Sequence, residues 1–223
     1  MDRILALIAD TPLFSGLAEK DLVQVRNIAV DRFYARGETI FFEGDPGDGF
    51  YIVAAGKVKI FKVSLDGKEQ ILHIYGPGNP FGEVPVFSGD NFPANAVCLV
   101  KSQLLFFPRS AFVELITVNP SLSMNMLAVL SMRLREFTLQ IENLSLKEVP
   151  GRLAAYLLYL AEEQAEAMSG GQTVQLPISK GQLASLLGTI PETLSRILAK
   201  LSGQEMIQVN GNQIEVKDRG LLE

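Results

Sequence analysis

From Val30 to about Pro108 the chain is built of short runs in which apolar and polar residues alternate, separated by glycines at positions 37, 44, 47, 49, 56, 67, 76, 78, 82 and 89. Tyr51–Ala54, Lys57–Phe61, Gln70–Ile74 and Gln103–Phe107 have the period of two that strands require. Regularly spaced strands with glycine turns predict a small antiparallel barrel or jelly roll, with Asp66-Gly67 as one hairpin turn. On either side the period lengthens. Ahead of the strands, Asp2–Ala9 and Ala18–Ile28 read as short helices joined by a turn at Thr11-Pro12, with Leu17, Leu22 and Val25 on one side. Behind them a helical pattern starts at Arg109, pauses at Asn119-Pro120 and runs from Ser121 to about Leu146.

Within that long stretch Leu127, Leu134 and Ile141 recur every seven residues, and Leu130, Phe137 and Leu144 repeat the spacing three residues on. Such an a/d seam suits a parallel dimer with its two-fold axis along the helices. The alternative is a helix that buries this face on its own barrel, and Met124, Met126, Val129 and Met132 widen the stripe enough for both. Val149-Pro150-Gly151 is the predicted break and hinge. Arg152–Glu166 reads as a further amphipathic helix, and Ser169-Gly170-Gly171 leads into the last region.

There, Leu183, Ala184 and Leu187 form one apolar stripe and Leu194, Ile197, Leu198 and Leu201 a second, which predicts two short helices packed across a turn at Gly188. Ser179 with Gln182, and Thr189 with Glu192, have capping-box spacing, and Pro191 falls in the first turn of the second helix. Glu192, Thr193, Ser195 and Arg196 then lie beside the second stripe, as in a helix built to enter a DNA major groove. An ordinary helical hairpin has the same spacing. The C-terminal residues favour DNA: alternating runs flank Asn210-Gly211, a hairpin signal, and a helix pair with a hairpin after it is a winged helix-turn-helix. Its wing is poor in cations, with Lys217 and Arg219 only at the far end, so it serves as support or as a phosphate contact, and its composition suits support better. The fold class predicted is α+β: an N-terminal antiparallel β jelly roll with its helices over residues 1–120, a dimerisation helix over 121–147, and a C-terminal winged helix-turn-helix over 151–223.

Composition narrows the reading. A net charge of −5 excludes a protein that coats nucleic acid through a broad basic face, yet allows a dimer that reads a site through a few contacts. From Gly151 onward Arg152, Lys180, Arg196, Lys200, Lys217 and Arg219 meet Glu162, Glu163, Glu166, Glu192, Glu205, Glu215, Asp218 and Glu223, so weak, salt-sensitive background affinity is expected. Cys98 is the single cysteine, which leaves no intrachain disulfide and no iron–sulfur or zinc cluster. Its apolar flanks point to a core thiol, with a reactive sensor as the alternative. The one histidine, His73, and the lack of a phosphate loop argue against an enzyme. No run approaches a membrane span and the N-terminus has no signal-like pattern, so a cytoplasmic protein without membrane contact is expected.

Two motifs carry a family resemblance. Gly76-Pro77-Gly78-Asn79-Pro80-Phe81-Gly82-Glu83 resembles the turn entering the effector cassette of the bacterial cyclic-AMP-receptor/fumarate-nitrate-regulator transcription factors, and Gly188-Thr189-Ile190-Pro191-Glu192-Thr193-Leu194-Ser195-Arg196 resembles their recognition helix. The resemblance spans almost the whole chain. It implies a homodimer that binds double-stranded DNA at an inverted repeat, works with RNA polymerase and answers a small effector. Ser179, Thr189, Pro191, Glu192, Thr193, Ser195 and Arg196 are the DNA-contacting set it implies; Arg196 donates to guanine and Glu192 accepts from cytosine. Pro191 stands where the cyclic-AMP-responsive branch has an arginine that reads a further guanine.

In members that bind cyclic AMP, an Arg-Ser pair holds the cyclic phosphate. Here that pair falls approximately at Ala94-Asn95, so no cation is expected to meet a phosphate and cyclic AMP is disfavoured although Glu83 is present. The family's oxygen sensors carry N-terminal cysteines that this chain lacks. Relatives that sense carbon monoxide or nitric oxide bind haem, and His73 lies in the neighbourhood of one family haem ligand; a structural histidine is the competing reading. The Ile-Pro-Glu-Thr-Leu-Ser-Arg spelling resembles regulators of the hybrid-cluster protein and nitrosative-stress defence. The effector pocket expected between barrel and long helix takes Ile71, Ile74, Phe81, Val84 and Val97 and, across the seam, Met124, Met126 and Leu127, together with His73, Gly82, Glu83, Ala94 and Asn95. Its apolar lining suits a hydrophobic ligand or haem, and a packed barrel without a ligand is the alternative.

Overall fold

The computed structural model describes residues 3–165 and 173–217, which leaves Glu166, Ser169-Gly170-Gly171 and Arg219 outside the described residues. The chain divides into two compact units, Met1–Arg135 and Glu136–Glu223, so the division falls inside the long helix.

The first unit opens with α1 (Arg3–Asp10), a 3-10 turn at Pro12–Phe14 and α2 (Glu19–Ile28). Eight strands follow: β1 (Val30–Tyr34), β2 (Thr39–Phe41), β3 (Gly49–Ala55), β4 (Val58–Val63), β5 (Glu69–Tyr75), β6 (Pro80–Phe81), β7 (Asn95–Cys98) and β8 (Ser102–Pro108). They form two antiparallel four-stranded sheets in the orders β1-β8-β3-β6 and β2-β7-β4-β5. The jelly roll expected from the alternating pattern is therefore present. A short helix that the pattern does not signal, α3 (Val84–Ser88), follows β6, and α4 (Arg109–Val118) leads to α5 (Pro120–Leu146).

Strand β3 explains how the layers hold together. Its alternate side chains Tyr51 and Val53 enter the barrel core with Phe41, Phe81, Phe92 and Phe106. Phe50 and Ile52 face the other way and pack with Phe14, Phe107, Phe112, Leu122 and Met126 of the second core. Both faces are buried, which is why this strand reads as an unbroken apolar run. A Cβ on Gly49 would lie 2.3 Å from the Phe107 carbonyl oxygen and 2.6 Å from the Phe106 ring, so β3 and β8 close at that end only around a glycine.

The second unit holds the end of α5, then α6 (Val149–Ala165), β9 (Thr173–Gln175), α7 (Lys180–Leu186), α8 (Pro191–Gly203), β10 (Ile207–Asn210) and β11 (Gln213–Val216). The last strands form an antiparallel sheet in the order β10-β11-β9. Gln164 of α6 fastens β9 by donating to the Gln175 carbonyl and accepting from its N–H, both at 2.8 Å. Leu153, Leu157 and Leu160 are buried, as the amphipathic pattern requires.

Two boundaries differ from the sequence expectation. The helical break falls at Lys147-Glu148, and Pro150 sits in the first turn of α6, where proline needs no N–H partner. The wing turn is Gly211-Asn212, because Asn210 already pairs with Gln213; the left-handed φ of +61° falls on Gly211, which accepts it without strain.

Candidate nucleic-acid interface and effector site

The helix-turn-helix is assembled from the stripes read in the sequence: Leu183, Ala184, Leu187, Leu194, Ile197, Leu198 and Leu201 are all buried where α7 packs on α8. Ser179 caps α7 with a complete box, its hydroxyl accepting from the Gln182 N–H at 3.2 Å while its own N–H donates to Gln182 Oε1 at 3.0 Å. The second box does not form. Ile190, extended at φ −106° and ψ 155°, is the N-cap of α8 and gives it no side-chain hydrogen bond, while the Thr189 N–H donates to the Ala184 carbonyl at 2.9 Å. Gly188 takes the left-handed φ of +65° that turns the chain between the helices.

With the apolar stripe buried, Pro191, Glu192, Ser195 and Arg196 are exposed on α8, and Thr193 is half-buried beside them. Arg196 Nη2 donates to Thr193 Oγ1 at 3.2 Å, which restrains the guanidinium on the exposed face. A carboxylate and a guanidinium one turn apart at a helix N-terminus can together accept from one base edge and donate to another.

The barrel departs further from expectation. Tyr75 lies in the barrel core, and so do Ala96 and Cys98, so alternation puts Ile74 and Val97 on the opposite face of their sheet. Ile71 is fully buried, at the point where the register shifts between Ile60, paired with His73, and Phe61, paired with Ile71. Val84 is exposed on α3 and Met126 is buried against the helices, while Met124 and Leu127, expected to act across the seam, are exposed on α5. Between the sheets stand aromatic rings: Phe41 stacks on Phe92 at 3.7 Å, Tyr51 on Phe81 at 5.3 Å, and a Cβ on Gly82 would touch the first two rings at 3.2 and 3.3 Å.

What the fold does bring together is charged. Arg133 of α5 pairs with Glu83 and donates to the Pro80 carbonyl, each of the two side chains only 13 % exposed, with its guanidinium 5.1 Å from the Tyr75 ring. His73 packs on Tyr75 at 4.3 Å, and burial, helped by Arg133, pulls its pKa down to about 4. Beside this group is a cleft of only about 10 Å³, lined by Leu13, Phe50, Met126, Val129 and Leu130 with Pro80, Glu83 and Arg133. That cleft does not admit a porphyrin, and His73 is not among the residues that line it.

From its sequence the Ala94-Asn95 segment is expected to lack a cation. Ala94 is buried, and Asn95 braces the sheet edge by accepting from the Glu43 N–H at 3.0 Å and donating to the Phe61 carbonyl at 3.3 Å. A cation does arrive from the neighbouring strand: one residue beyond the Phe61–Asn95 pair, Lys62 donates to the Pro93 carbonyl at 3.0 Å and pairs with Glu43. Arg133, Lys62 and Glu43 escape a reading of the sequence. Only the register of β4 on β7 and the approach of α5 to β6 place them here.

Comparison with known proteins agrees with this layout. Residues 31–119 match the model of the cyclic nucleotide-binding domain, and residues 151–223 that of the Crp-like helix-turn-helix domain. The cyclic AMP receptor protein of Thermus thermophilus is 35 % identical over 213 residues, 96 % of this chain and 95 % of that protein. The chain belongs to the CRP family of transcription regulators. Another member, the CRP-like cAMP-activated global transcriptional regulator of Mycobacterium tuberculosis, is 31 % identical over 98 % of this chain and 96 % of its own. The solved structure of the c-di-GMP responsive global regulator CLP of Xanthomonas campestris superposes with a TM-score of 0.79 at 25 % identity, covering 90 % of this chain and all of that one. As a CRP-family member this chain is a DNA-binding transcription regulator and not an enzyme. Among the described residues no single helix is long and apolar enough to cross a membrane.

Proposed function

We propose that this regulator acts as a homodimer on an inverted-repeat operator, under control of a small effector other than cyclic AMP. The observation that carries the reading is the seam of α5: Leu127, Leu134, Phe137, Ile141 and Leu144 are exposed and Leu130 half-buried, all at heptad spacing. A second copy of the helix covers such a stripe and relates two recognition helices by a two-fold axis. Half-sites about one helical turn apart, roughly 34 Å, follow from that symmetry. Ser179, Thr189, Pro191, Glu192, Thr193, Ser195 and Arg196 form the reading set, with Arg196 on guanine and Glu192 on cytosine. RNA polymerase is the further partner that suits a regulator of this kind.

For the effector, the place that suits binding is the junction of α5 with the barrel, where Glu83 and Arg133 meet. The relatives named for cyclic AMP share the fold. Here, however, Ala94 and Asn95 offer no charge, the Lys62 ammonium is paired with Glu43, and the Phe41–Phe92 stack fills the space between the sheets. CLP, described as responsive to c-di-GMP, is a relative that answers a different molecule.

The test combines light scattering of the full chain with selection from randomised duplexes. A dimer at micromolar concentration and a palindromic operator are expected, Phe137→Glu should shift the mass toward monomer and abolish operator binding, and Arg196→Ala should cost about 1–3 kcal/mol of discrimination. A wild-type monomer that binds its operator normally, or an operator indifferent to Arg196→Ala, overturns the reading. Titrating cyclic AMP and nitric oxide into the same assay is expected to leave operator affinity unchanged; tight cyclic AMP binding that stimulates it overturns the argument from Ala94 and Asn95.

A further inference from the structure

The recognition helix begins on an apolar corner. Ile190, its N-cap, is 51 % exposed, and Pro191, its first helical residue, is exposed beside it. This arrangement forgoes stability twice over. A serine, threonine, asparagine or aspartate at an N-cap satisfies a helix-end N–H, which Ile190 does not do, and half of a branched apolar side chain stays in water. The partner helix α7 follows the usual rule, with its full box on Ser179. The apolar pair also lies at the end of α8 that carries Glu192 and, one turn on, Arg196 held by Thr193.

The chemistry of that end limits what the pair can recognise. Proline has no N–H to donate and isoleucine has neither donor nor acceptor in its side chain, so neither forms a side-chain hydrogen bond to a base edge. In the major groove one base feature remains for aliphatic groups, the C5-methyl of thymine. We propose that Ile190 and Pro191 form a reading corner that selects a thymine in each half-site by its methyl group, next to the base pairs read by Glu192 and Arg196. The proposal rests on the inverted-repeat operator and adds to it a base that is specified by van der Waals contact alone.

The experiment uses the full chain and the operator recovered by selection. Each thymine is replaced in turn by deoxyuridine, which removes only the methyl group. At one thymine per half-site the wild type should lose about three- to fivefold in affinity, the worth of one buried methyl group. Ile190→Ser should keep only the smaller share of the thymine preference that Pro191 supplies, and because it supplies a cap its melting temperature should not fall below the wild type's. Pro191→Ala serves as the second variant, expected to retain part of the thymine preference through Ile190. A deoxyuridine scan with no sensitive position overturns the corner whatever the variants do, and so does an equal methyl effect in wild type and Ile190→Ser. Failure to select any operator overturns the operator reading instead, so the two failures are told apart.

Discussion

His73 shows how much one side chain's surroundings decide. Burial first, and the Arg133 guanidinium second, hold its folded pKa near 4, against about 6.5 in an unfolded chain. Below pH 6.5 the unfolded chain takes up a proton that the folded chain refuses. Stability from this residue is therefore intact above about pH 6.5 and is lost as pH falls toward 4, by up to roughly 3 kcal/mol. Denaturant titrations at pH 7 and pH 5 should show a smaller acid loss for His73→Asn than for wild type; equal losses would mean that His73 titrates as it does in water. Cys98 fits the core reading of its apolar flanks: burial raises its thiol pKa, which keeps it protonated and unreactive.

Among the elements, local rules decide most of the outcome and their conflicts explain the rest. Removing the one complete capping box with Ser179→Ala should lower stability by about 1 kcal/mol, read as a shift in the denaturation midpoint, whereas Thr189→Ala should change it far less because Thr189 caps nothing. Both boxes look alike in sequence. Pro191 settles the difference, since it prefers the first helical position and so makes Ile190, not Thr189, the cap. The stripes of α7 and α8, the Asp66-Gly67 hairpin and the exposed apolar stripe of α5 are legible because each depends on neighbours within one or two turns. The surroundings of the barrel residues expected to line an effector pocket are not. Ile74 and Val97 read as pocket residues only while strand parity is unknown, and beyond His73 a register shift in β5 interrupts the simple alternation before Ile71. Arg133 and Glu83 lie fifty residues apart, and no local pattern announces their pairing.

At the scale of the whole molecule, α5 carries two duties on one rod. Arg133 grips the barrel through Glu83 and Pro80, while Leu130, Leu134 and Phe137, its neighbours along the helix, belong to the exposed seam. In the proposed dimer, a molecule that competes for Glu83 or Arg133 would change how firmly the rod is clamped, and with it the free energy with which two rods associate. Thermodynamic linkage makes that trade reciprocal: a ligand that tightens association is itself bound more tightly by the associated form, by the same factor. The apparent effector affinity should then vary with protein concentration across the range in which monomers become dimers, and Phe137→Glu should abolish the variation. In the proposed dimer, one buried arginine would make the cell's own dosage of this regulator a second signal, measured alongside the effector.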